Sequence, residues 1–388
     1  MIKRLATGKS AKEHGFYLIT LLGDDSYPFV QPKAINNFGQ VVGYTSGATP
    51  QAFLWQPDTK NETSGTLNTL PPLGAVGSAS YATGINSKGE ISGYAEDSNG
   101  IIRPVFWPTN PNGPFPLHPT QIDPEASPFV SGQFNPYGGI NDRGEIATNV
   151  GPMTHAALYL PSASPTVQEM ANNFYDALAI NNSGEFVGSM ETYKSTYQAA
   201  CYIPSLIDPA HPDVSPYVNI ADPDQGGLPF AISGDATDIN DDCEIAANTL
   251  MPDPSNPTQL LSRTFLWKPK KTKWKIIDLQ NDHLDLLLDP SGTTKFHHRS
   301  LGLNNYEQVV GTVGNALAFL YEGPLYGKPQ VYSLNSLIDP KQINADNQWQ
   351  LSSAWDINDQ GQIVGLAVHN MDYTYWTGFL LTPLFLSR

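Results

Sequence analysis

Apolar residues alternate with small or polar residues along most of the chain, and Gly or Pro interrupts the alternation roughly every dozen positions. A period of two, rich in β-branched residues, is typical of half-buried strands. No stretch keeps the 3.6-residue period of a helix for long, and the best candidate, 284–288, is a single turn or so. With 33 Gly and 33 Pro in 388 residues, the chain is predicted to be all-β.

One heptapeptide, Ile-Asn-x-x-Gly-(Gln/Glu)-(Val/Ile/Phe), recurs along the chain. Five copies begin at Ile35, Ile85, Ile140, Ile180 and Ile357, and two weaker copies begin at Ile239 and Leu303. Their asparagines are about 54 residues apart on average, close to the roughly 40 to 50 residues of propeller-blade repeats. Helical repeats of similar length do not fit the alternating pattern.

The heptapeptide itself is typical of a hairpin turn. Its Asn suits the first position of a type I turn, because the side chain can bond the backbone two residues on. Its Gly suits a left-handed position that leads back into the second strand. Cys243 and Glu307 replace that Gly in the two weaker copies. Those turns are expected either to accept a left-handed residue, at a cost of about 1 kcal/mol, or to change type.

A third strand is predicted after each hairpin, and in nearly every copy a Pro follows it within a few residues. Its seven copies are 52–55, 104–107, 156–159, 199–202, 264–267, 318–321 and 378–381. A less regular fourth strand is clearest at 274–279 and 331–334. Four strands repeated seven times predict a seven-bladed β-propeller with four-stranded antiparallel blades.

The two ends of the chain complement each other. The seventh copy stops after its third strand, whereas an unmatched strand, about 16–23, precedes the first copy. We therefore expect this N-terminal strand to complete the C-terminal blade and close the ring. The predicted organisation is a short basic tail, 1–15, followed by a single propeller, 16–388.

Asn36-Asn37-Phe38-Gly39-Gln40-Val41-Val42-Gly43, followed by Gln51-Ala52-Phe53-Leu54-Trp55, resembles the bacterial HAF repeats, named for a His-Ala-Phe signature. The resemblance covers nearly the whole chain from residue 16. It implies a propeller-like repeat architecture and an exported protein, and it implies no particular reaction. The chain departs from the signature, since only His155-Ala156-Ala157 begins with His-Ala.

Charge and composition limit the classes of partner. The formal net charge of −16 and pI of about 4.7 disfavour nucleic-acid binding, which needs clustered Lys and Arg. The basic run 268–275 is interpreted as a solvated hairpin tip. No apolar run is long enough for a membrane span or a secretion signal, so localisation stays open between the cytoplasm and export by another route or after loss of a leader. Cys201 and Cys243 are expected to be free thiols.

Candidate site residues follow from position in the blade. Innermost strands surround the axis of a propeller, so the residues five or six before each repeat Asn are expected to line one mouth of the channel. The candidate ligand-binding residues are Gln31, Tyr81, Asp176, Asp235, His298, Arg299 and Ser353. Polar groups that converge in a concavity are the default small-molecule site, although a water-lined channel is the alternative interpretation.

Three further groups of residues bear on the function. The Asp-rich loops 222–224 and 281–283 lack calcium-loop spacing and are interpreted as turns, and no metal or cofactor is predicted. The regularly repeated aromatics are interpreted as inter-blade core: Trp55, Trp107, Tyr159, Tyr202, Trp267 and Tyr321. Aromatics outside the repeat frame are better ligand candidates: Tyr193, Tyr197, Tyr373, Tyr375 and Trp376.

Three functions are compatible with these observations. The leading hypothesis is a monomeric, non-catalytic binding propeller that engages a protein or glycan through one face and the channel mouth. The alternative is a carbohydrate-active enzyme of glycosidase or lyase type, with Asp176, Asp235, His298 and Arg299 as its acid, base and charge-stabilising groups. A third is a structural ring that assembles with copies of itself.

Overall fold

A computed structural model describes residues 16–384 with gaps. It leaves out 24–28, 111, 113–117, 123–135, 151–154, 163–164, 171–173, 192–195, 207–215, 221–231, 254–255, 271–272, 280–283, 290–295, 315, 325–327, 343–348 and 370–371. At 270, 273, 274, 372 and 373 it describes the backbone alone. The predicted tail 1–15, both Asp-rich loops and Tyr193 lie outside the described residues.

Seven four-stranded antiparallel sheets are arranged as the blades of a propeller, which confirms the predicted fold. The first strand of each blade is innermost. Blades 1 to 3 comprise β2 (Val30–Ile35), β3 (Val41–Thr45), β4 (Ala52–Pro57) and β5 (Gly65–Thr69); β6 (Ser80–Ile85), β7 (Ile91–Glu96), β8 (Ile102–Trp107) and β9 (Thr120–Gln121); and β10 (Gly139–Ile140), β11 (Ile146–Val150), β12 (His155–Leu160) and β13 (Thr166–Glu169).

Blades 4 to 7 have the same layout. They comprise β14 (Phe174–Ile180), β15 (Phe186–Glu191), β16 (Tyr197–Tyr202) and β17 (Tyr217–Asn219); β18 (Ser233–Ile239), β19 (Ile245–Asp253), β20 (Asn256–Lys270) and β21 (Lys273–Asp278); β22 (His298–Leu303), β23 (Gln308–Val313), β24 (Leu317–Glu322) and β25 (Gln330–Ser333); and β26 (Trp349–Ile357), β27 (Ile363–His369), β28 (Asp372–Pro383) and β1 (Tyr17–Leu21). The described residues include 3-10 turns at Pro204–Leu206, Leu284–Leu287 and Leu334–Leu337.

The ring closes as the sequence predicts. Strand β1 pairs antiparallel with β28, from Tyr17 opposite Pro383 to Leu21 opposite Phe379. The Tyr17 carbonyl also accepts a hydrogen bond of 2.9 Å from the Asp339 amide, next to blade 6. The N-terminal strand therefore covers the outer edge of the C-terminal blade and holds both ends of the ring together.

The hydrophobic core lies between adjacent blades. The largest enclosed side chains include Trp107, Trp267 and Tyr321, each at most 1% exposed. Trp107 packs with Val42 and Leu54 of the preceding blade. Its Nε1 donates a hydrogen bond of 2.9 Å to the Pro71 carbonyl. The recurring aromatics therefore bind blades together, as their regular spacing suggests.

Antiparallel blades give the propeller two different faces. Connections between the first and second and between the third and fourth strands lie on one side, which we call the turn face because it carries the Asn hairpins. The remaining connections lie on the other side, which we call the loop face. In the hairpins, Gly89 has φ +79°, and Cys243 and Glu307 each have φ 59° at the equivalent position. The two non-Gly turns therefore keep the turn type and accept the left-handed conformation.

Candidate functional site

Two cavities lie on the propeller axis, one at each end. The turn-face cavity, about 180 Å³, is lined by the repeat Asn of every blade and by the residues on either side of it. The loop-face cavity, about 260 Å³, is lined mainly by residues three to five positions before the repeat Asn, together with Thr312 of a second strand. Its lining residues are Lys33, Thr83, Pro136, Tyr137, Gly138, Leu178, Thr237, Arg299, Leu301, Thr312, Ser353 and Trp355.

The repeat asparagines form a closed ring around the turn-face end, which we call the Asn ring. It consists of Asn36, Asn86, Asn141, Asn181, Asn240, Asn304 and Asn358. Each Nδ2 donates to the backbone carbonyl of the next Asn at 2.8–3.2 Å, and Asn358 donates to Asn36 to complete the circle. All seven side chains are buried. The ring joins every blade to its successor.

Each of these side chains is also used within its own turn. In Asn181, Oδ1 accepts from the amides of Ser183 and Glu185 at 3.0 Å, and Nδ2 donates to Glu185 Oε2 at 2.7 Å as well as to the Asn240 carbonyl. The other six asparagines repeat this pattern. Both lone pairs and both N–H groups are thus committed to the frame.

The loop-face cavity is built by a β-bulge that recurs in the inner strands. Pairing with the second strand shifts by one residue at Lys33, Thr83, Leu178, Thr237, Leu301 and Trp355, each three positions before the repeat Asn. Gly138 stands at this position in blade 3. A bulge leaves its extra residue unpaired and re-aims the side chain. All seven positions line the loop-face cavity.

Lys33 is the least expected of these residues. Its Nζ lies 3.5 Å from the centre of the Trp355 ring, 5.4 Å from Tyr44 and 5.8 Å from Tyr137. Burial, and secondarily the positive charge of Arg299, lowers the pKa of Lys33 to about 7. Lys33 is therefore an ammonium held among aromatic rings in a cavity that also contains Arg299.

A polar group of three charged residues lies beside this cavity. Arg299 Nη2 donates to Asp235 Oδ2 at 2.9 Å, and its guanidinium also makes a hydrogen bond with the Tyr137 hydroxyl. Asp176 Oδ1 accepts from the amide and the hydroxyl of Ser189 at 2.7 and 2.8 Å. Burial raises the pKa of Asp176 to about 6, against the opposing effect of the Ser189 hydrogen bonds. The nearby Asp235 carboxylate acts in the same direction as burial.

Two further carboxyl groups, those of Asp238 and Asp356, lie two residues before the repeat Asn. Along the strand, this position falls between the residues that line the two cavities. Asp238 accepts from the Leu303 amide of the next blade at 2.7 Å, and Asp356 accepts from the Ile35 amide of blade 1 at 2.8 Å. Burial raises the pKa of both groups, and the proximity of Asp356 raises that of Asp238 further. Both carboxyl groups connect adjacent blades, and neither lines the loop-face cavity.

The sequence-predicted residues fall into four groups, and only the first lines the loop-face cavity. Arg299 and Ser353 line the loop-face cavity, and Asp176 and Asp235 interact electrostatically with Arg299. Tyr81 contacts the Tyr44 ring at a centroid distance of 5.0 Å. Gln31 and His298 are the remaining two, and neither lines the cavity. Gln31 stands opposite Tyr44 in the β2–β3 pairing and is half-buried.

His298 lies elsewhere than the sequence suggests. It is 1% exposed, and its Nε2 is 3.0 Å from Asp285 Oδ1. Asp285 belongs to the 3-10 turn Leu284–Leu287, and its Oδ1 also accepts from the Phe296 amide. The strand alternation that brings Arg299 to the channel takes its neighbour His298 into the protein interior. His298 therefore does not join the carboxylates in one pocket.

Sequence reasoning missed Lys33, Tyr137 and Trp355. It counted five and six residues back from Asn along a regular strand, whereas the bulge adds the position three back to the channel lining. A signal for this position was present: its seven residues are Lys, Thr, Gly, Leu, Thr, Leu and Trp, while the positions on either side of it are mostly small. The variation of residue type at this position, between neighbours that stay small, would have identified it as part of the channel lining.

A cluster of aromatic side chains lies on the loop face at blades 7 and 1. Trp349 stacks with Tyr375 at 5.8 Å and an interplanar angle of 27°, and His369 contacts both rings. Phe29 contacts Tyr375 and Trp376. Tyr375 is 51% exposed. Two of the predicted ligand candidates, Tyr375 and Trp376, thus belong to one cluster on the blades that supply Trp355 and Lys33.

The described residues contain neither a candidate membrane-spanning helix nor a candidate metal cluster. No helix in this part of the chain is long and apolar enough to cross a membrane. No three or more His, Cys, Asp or Glu residues there are grouped so that they could hold a metal ion.

Comparison with known proteins adds little beyond the fold. No family model matches the chain and no curated protein matches it, so the similarity to HAF repeats stays a resemblance. Among solved structures, the chain is similar to the β-propeller domain of the Trilobed protease from Pyrococcus furiosus, with a TM-score of 0.37 and 9% identity over 85% of this chain and 99% of that one.

It is also similar to the acylaminoacyl peptidase of Pyrococcus horikoshii, with a TM-score of 0.35 and 11% identity over 90% of this chain. The match spans 59% of the length of that peptidase. Likenesses at this level carry no argument about activity. The assignment as a seven-bladed propeller rests on the sheet order and on the closed Asn ring.

Proposed function

We propose that this protein is a non-catalytic binding propeller that holds a glycan or a protein segment on its loop face, centred on the loop-face cavity. The observation that carries the proposal is the contrast between the two ends of the axis. Polar groups at the turn-face end bond one another, whereas at the loop-face end Lys33, Arg299 and Ser353 converge on an open concavity with apolar walls. Such a combination is typical of ligand sites.

The aromatic cluster favours a glycan over a protein segment as the ligand. Trp349 and Tyr375 present stacked rings, and Tyr375 is half exposed on the same face as the cavity. Flat aromatic surface beside a few polar groups suits a ring-shaped, partly apolar ligand. Binding would then extend from the cavity across blades 7 and 1.

The test is retention on a glycan panel and by immobilised protein in a pull-down, with wild type and two variants. Arg299→Ala removes the guanidinium that links Asp235 and Tyr137, and retention is expected to fall at least about tenfold. Lys88→Ala, a mostly exposed lysine of the turn face, is the matched control and should leave retention unchanged. Retention of nothing, or equal retention by both variants, contradicts the proposal.

One observation favours the enzymatic alternative as a second candidate. Asp176 and Asp235 interact, and burial raises the pKa of Asp176 to about 6, which is the direction of shift that a general acid needs. Against it, Asp235 is engaged by Arg299 and Asp176 by Ser189. Turnover of a glycoside or uronide substrate that Asp176→Asn abolishes would establish this function in place of simple binding.

A further inference from the structure

Lys33 is a cation for which the described part of the chain provides no counterion. No described carboxylate lies within ion-pairing distance of its Nζ, and the charged group that most affects it is the positive Arg299. The chain as a whole carries a net charge of −16. Two basic side chains line this cavity in an acidic protein, and Asp235 pairs with one of them, Arg299, so Lys33 is the group left for an anion.

A second donor in the same cavity also lacks an acceptor. Trp355 lines the cavity, and its buried Nε1 has no hydrogen-bond partner among the described residues. An indole N–H can only donate. Buried donors normally find an acceptor, because leaving one unpaired costs about 1–3 kcal/mol. The cavity thus combines the Lys33 amine and the Arg299 guanidinium with the ring of Trp355, whose enclosed N–H has no acceptor among the described residues.

We propose that the loop-face cavity binds a small organic carboxylate, with its carboxylate group at Lys33 and Arg299 and its apolar part against Leu178, Leu301 and Trp355. This proposal rests on the proposed binding function and specifies the chemical class of ligand that the cavity would bind. It applies equally to a free acid and to an acidic unit at the end of a glycan, since both present the same group.

The size of the cavity excludes larger ligands, and the chemistry of its walls disfavours inorganic phosphate. A volume of about 260 Å³ lies just below the range of roughly 300–1,000 Å³ for drug-sized ligands, so the cavity admits a small molecule or one terminal unit. Inorganic phosphate would satisfy the cations and leave Leu178, Leu301 and Pro136 facing water. A carboxylate with a compact apolar body pairs with Lys33 and Arg299 and also covers the apolar walls.

Binding of an anion is expected to be coupled to proton uptake. An anion beside Lys33 favours the charged ammonium and raises the pKa of Lys33 from about 7. The titratable groups that face this lysine are Tyr44 and Tyr137, and those around its neighbour Arg299 are Asp176 and Asp235. On the adjacent inner strand, Asp356 is held by the Ile35 and Ile357 amides. Above pH 7, binding of the ligand is therefore accompanied by the uptake of a proton by Lys33.

The experiment is calorimetric titration of the full chain with benzoate, with benzamide as the neutral isostere and with inorganic phosphate. Benzoate is expected to bind with a dissociation constant below about 1 mM and at least about tenfold more tightly than benzamide or phosphate. At pH 8.5, in buffers of different ionisation enthalpy, it should take up close to one proton per site.

Lys33→Met is the test variant, and Lys60→Met is its matched control, since Lys60 also lies over an aromatic ring, 4.2 Å from Phe38, but on the turn face. Lys33→Met should lose at least about tenfold in benzoate affinity and all of the proton uptake, while Lys60→Met should lose neither. If Lys33→Met does not fold, the relative affinities of wild type for benzoate and benzamide still test the proposed carboxylate site.

Equal affinity for benzoate and benzamide, or no benzoate binding at about 10 mM, would overturn the inference. The outcome is separable from that of the proposed function. Retention of a glycan or protein by wild type together with no benzoate binding removes the carboxylate site and leaves the binding function intact. Failure of both retention and benzoate binding removes both.

Discussion

The two ends of the axis are built from the same seven strands and differ in what their polar groups do. At the turn-face end, seven asparagines have equivalent partners, and the Asn-to-carbonyl hydrogen bond of one blade recurs in the next. At the loop-face end, the bulge position holds Lys, Thr, Gly, Leu or Trp, and the polar groups there differ from blade to blade. Repetition in this molecule therefore marks the frame, and departure from it marks the candidate site.

The same contrast explains the different energetics expected of the two ends. The side chains of the Asn ring are buried and use all of their hydrogen-bonding capacity inside the protein, so their loss acts on folding. Loop-face groups include a cation without a described counterion and an unpaired indole donor, so their loss acts on binding and on pH dependence. Substitutions at each end can break or sharpen this division.

The largest effect on stability is expected from Asn181→Ala. The change removes four hydrogen bonds and leaves the Ser183 and Glu185 amides and the Asn240 carbonyl without their partner. We expect the free energy of unfolding to fall by about 3 kcal/mol. Urea unfolding followed by tryptophan fluorescence measures it.

The matched control for Asn181→Ala is Asn99→Ala, at an exposed turn residue of the loop face. It should change stability by less than about 0.5 kcal/mol. An equal loss in both variants would show that the Asn ring does not hold the blades together.

A smaller loss is expected from Gly89→Ala, which tests the turn without touching the Asn ring. The nearest atom to an added Cβ is Gln40 Oε1 at 3.5 Å, so the methyl group fits and only the left-handed φ of +79° opposes it. The cost should be about 1 kcal/mol in the free energy of unfolding. Gly47→Ala, where φ is not left-handed and no atom lies within 4 Å, should cost nothing or stabilise slightly.

The smallest expected effect on stability concerns Lys33 and depends on pH. The pKa of Lys33 is about 7 in the folded protein and 10.5 in a free side chain, so between these values the unfolded chain holds a proton that the folded one lacks. The stability of wild type should therefore rise with pH across this window. Lys33→Met should lack this rise.

Because Lys33 is half-buried, the difference between the two proteins is expected to stay below about 1 kcal/mol. Urea titrations at pH 7, 8 and 9 measure it. Parallel pH profiles for wild type and Lys33→Met would show that the lysine titrates normally and that the cavity does not desolvate it.

The fold was predictable from the sequence because one short motif determines it locally. The Asn and Gly of the heptapeptide specify the turn, the alternation specifies the flanking strands, and the unpaired strand before the first copy predicts the closure by β1. Even the strained turns at Cys243 and Glu307 were among the expected alternatives. The prediction succeeded because every link involves residues close in sequence or related by the repeat.

The candidate site was predictable only in part. Counting back along the strand identified Arg299, Asp235 and Asp176. It missed Lys33 and Trp355, because a bulge shifts the register there and no residue type predicts a bulge. His298 was misplaced because the direction of its side chain depends on the pairing at that point, and its partner Asp285 comes from a segment outside the repeat. Register and long-range pairing are tertiary properties that a local pattern does not contain.

The circular arrangement of the Asn ring has an evolutionary consequence. Each blade presents the same donor to the blade after it and the same carbonyl to the blade before it, so the connection does not depend on which two blades meet. A duplicated copy of the gene segment for one blade would already match its neighbours at the turn face. Lineages could therefore gain, exchange and diversify blades while the loop-face residues of each copy changed independently. A ligand site could arise from those changes without altering the hydrogen bonds that hold the ring together.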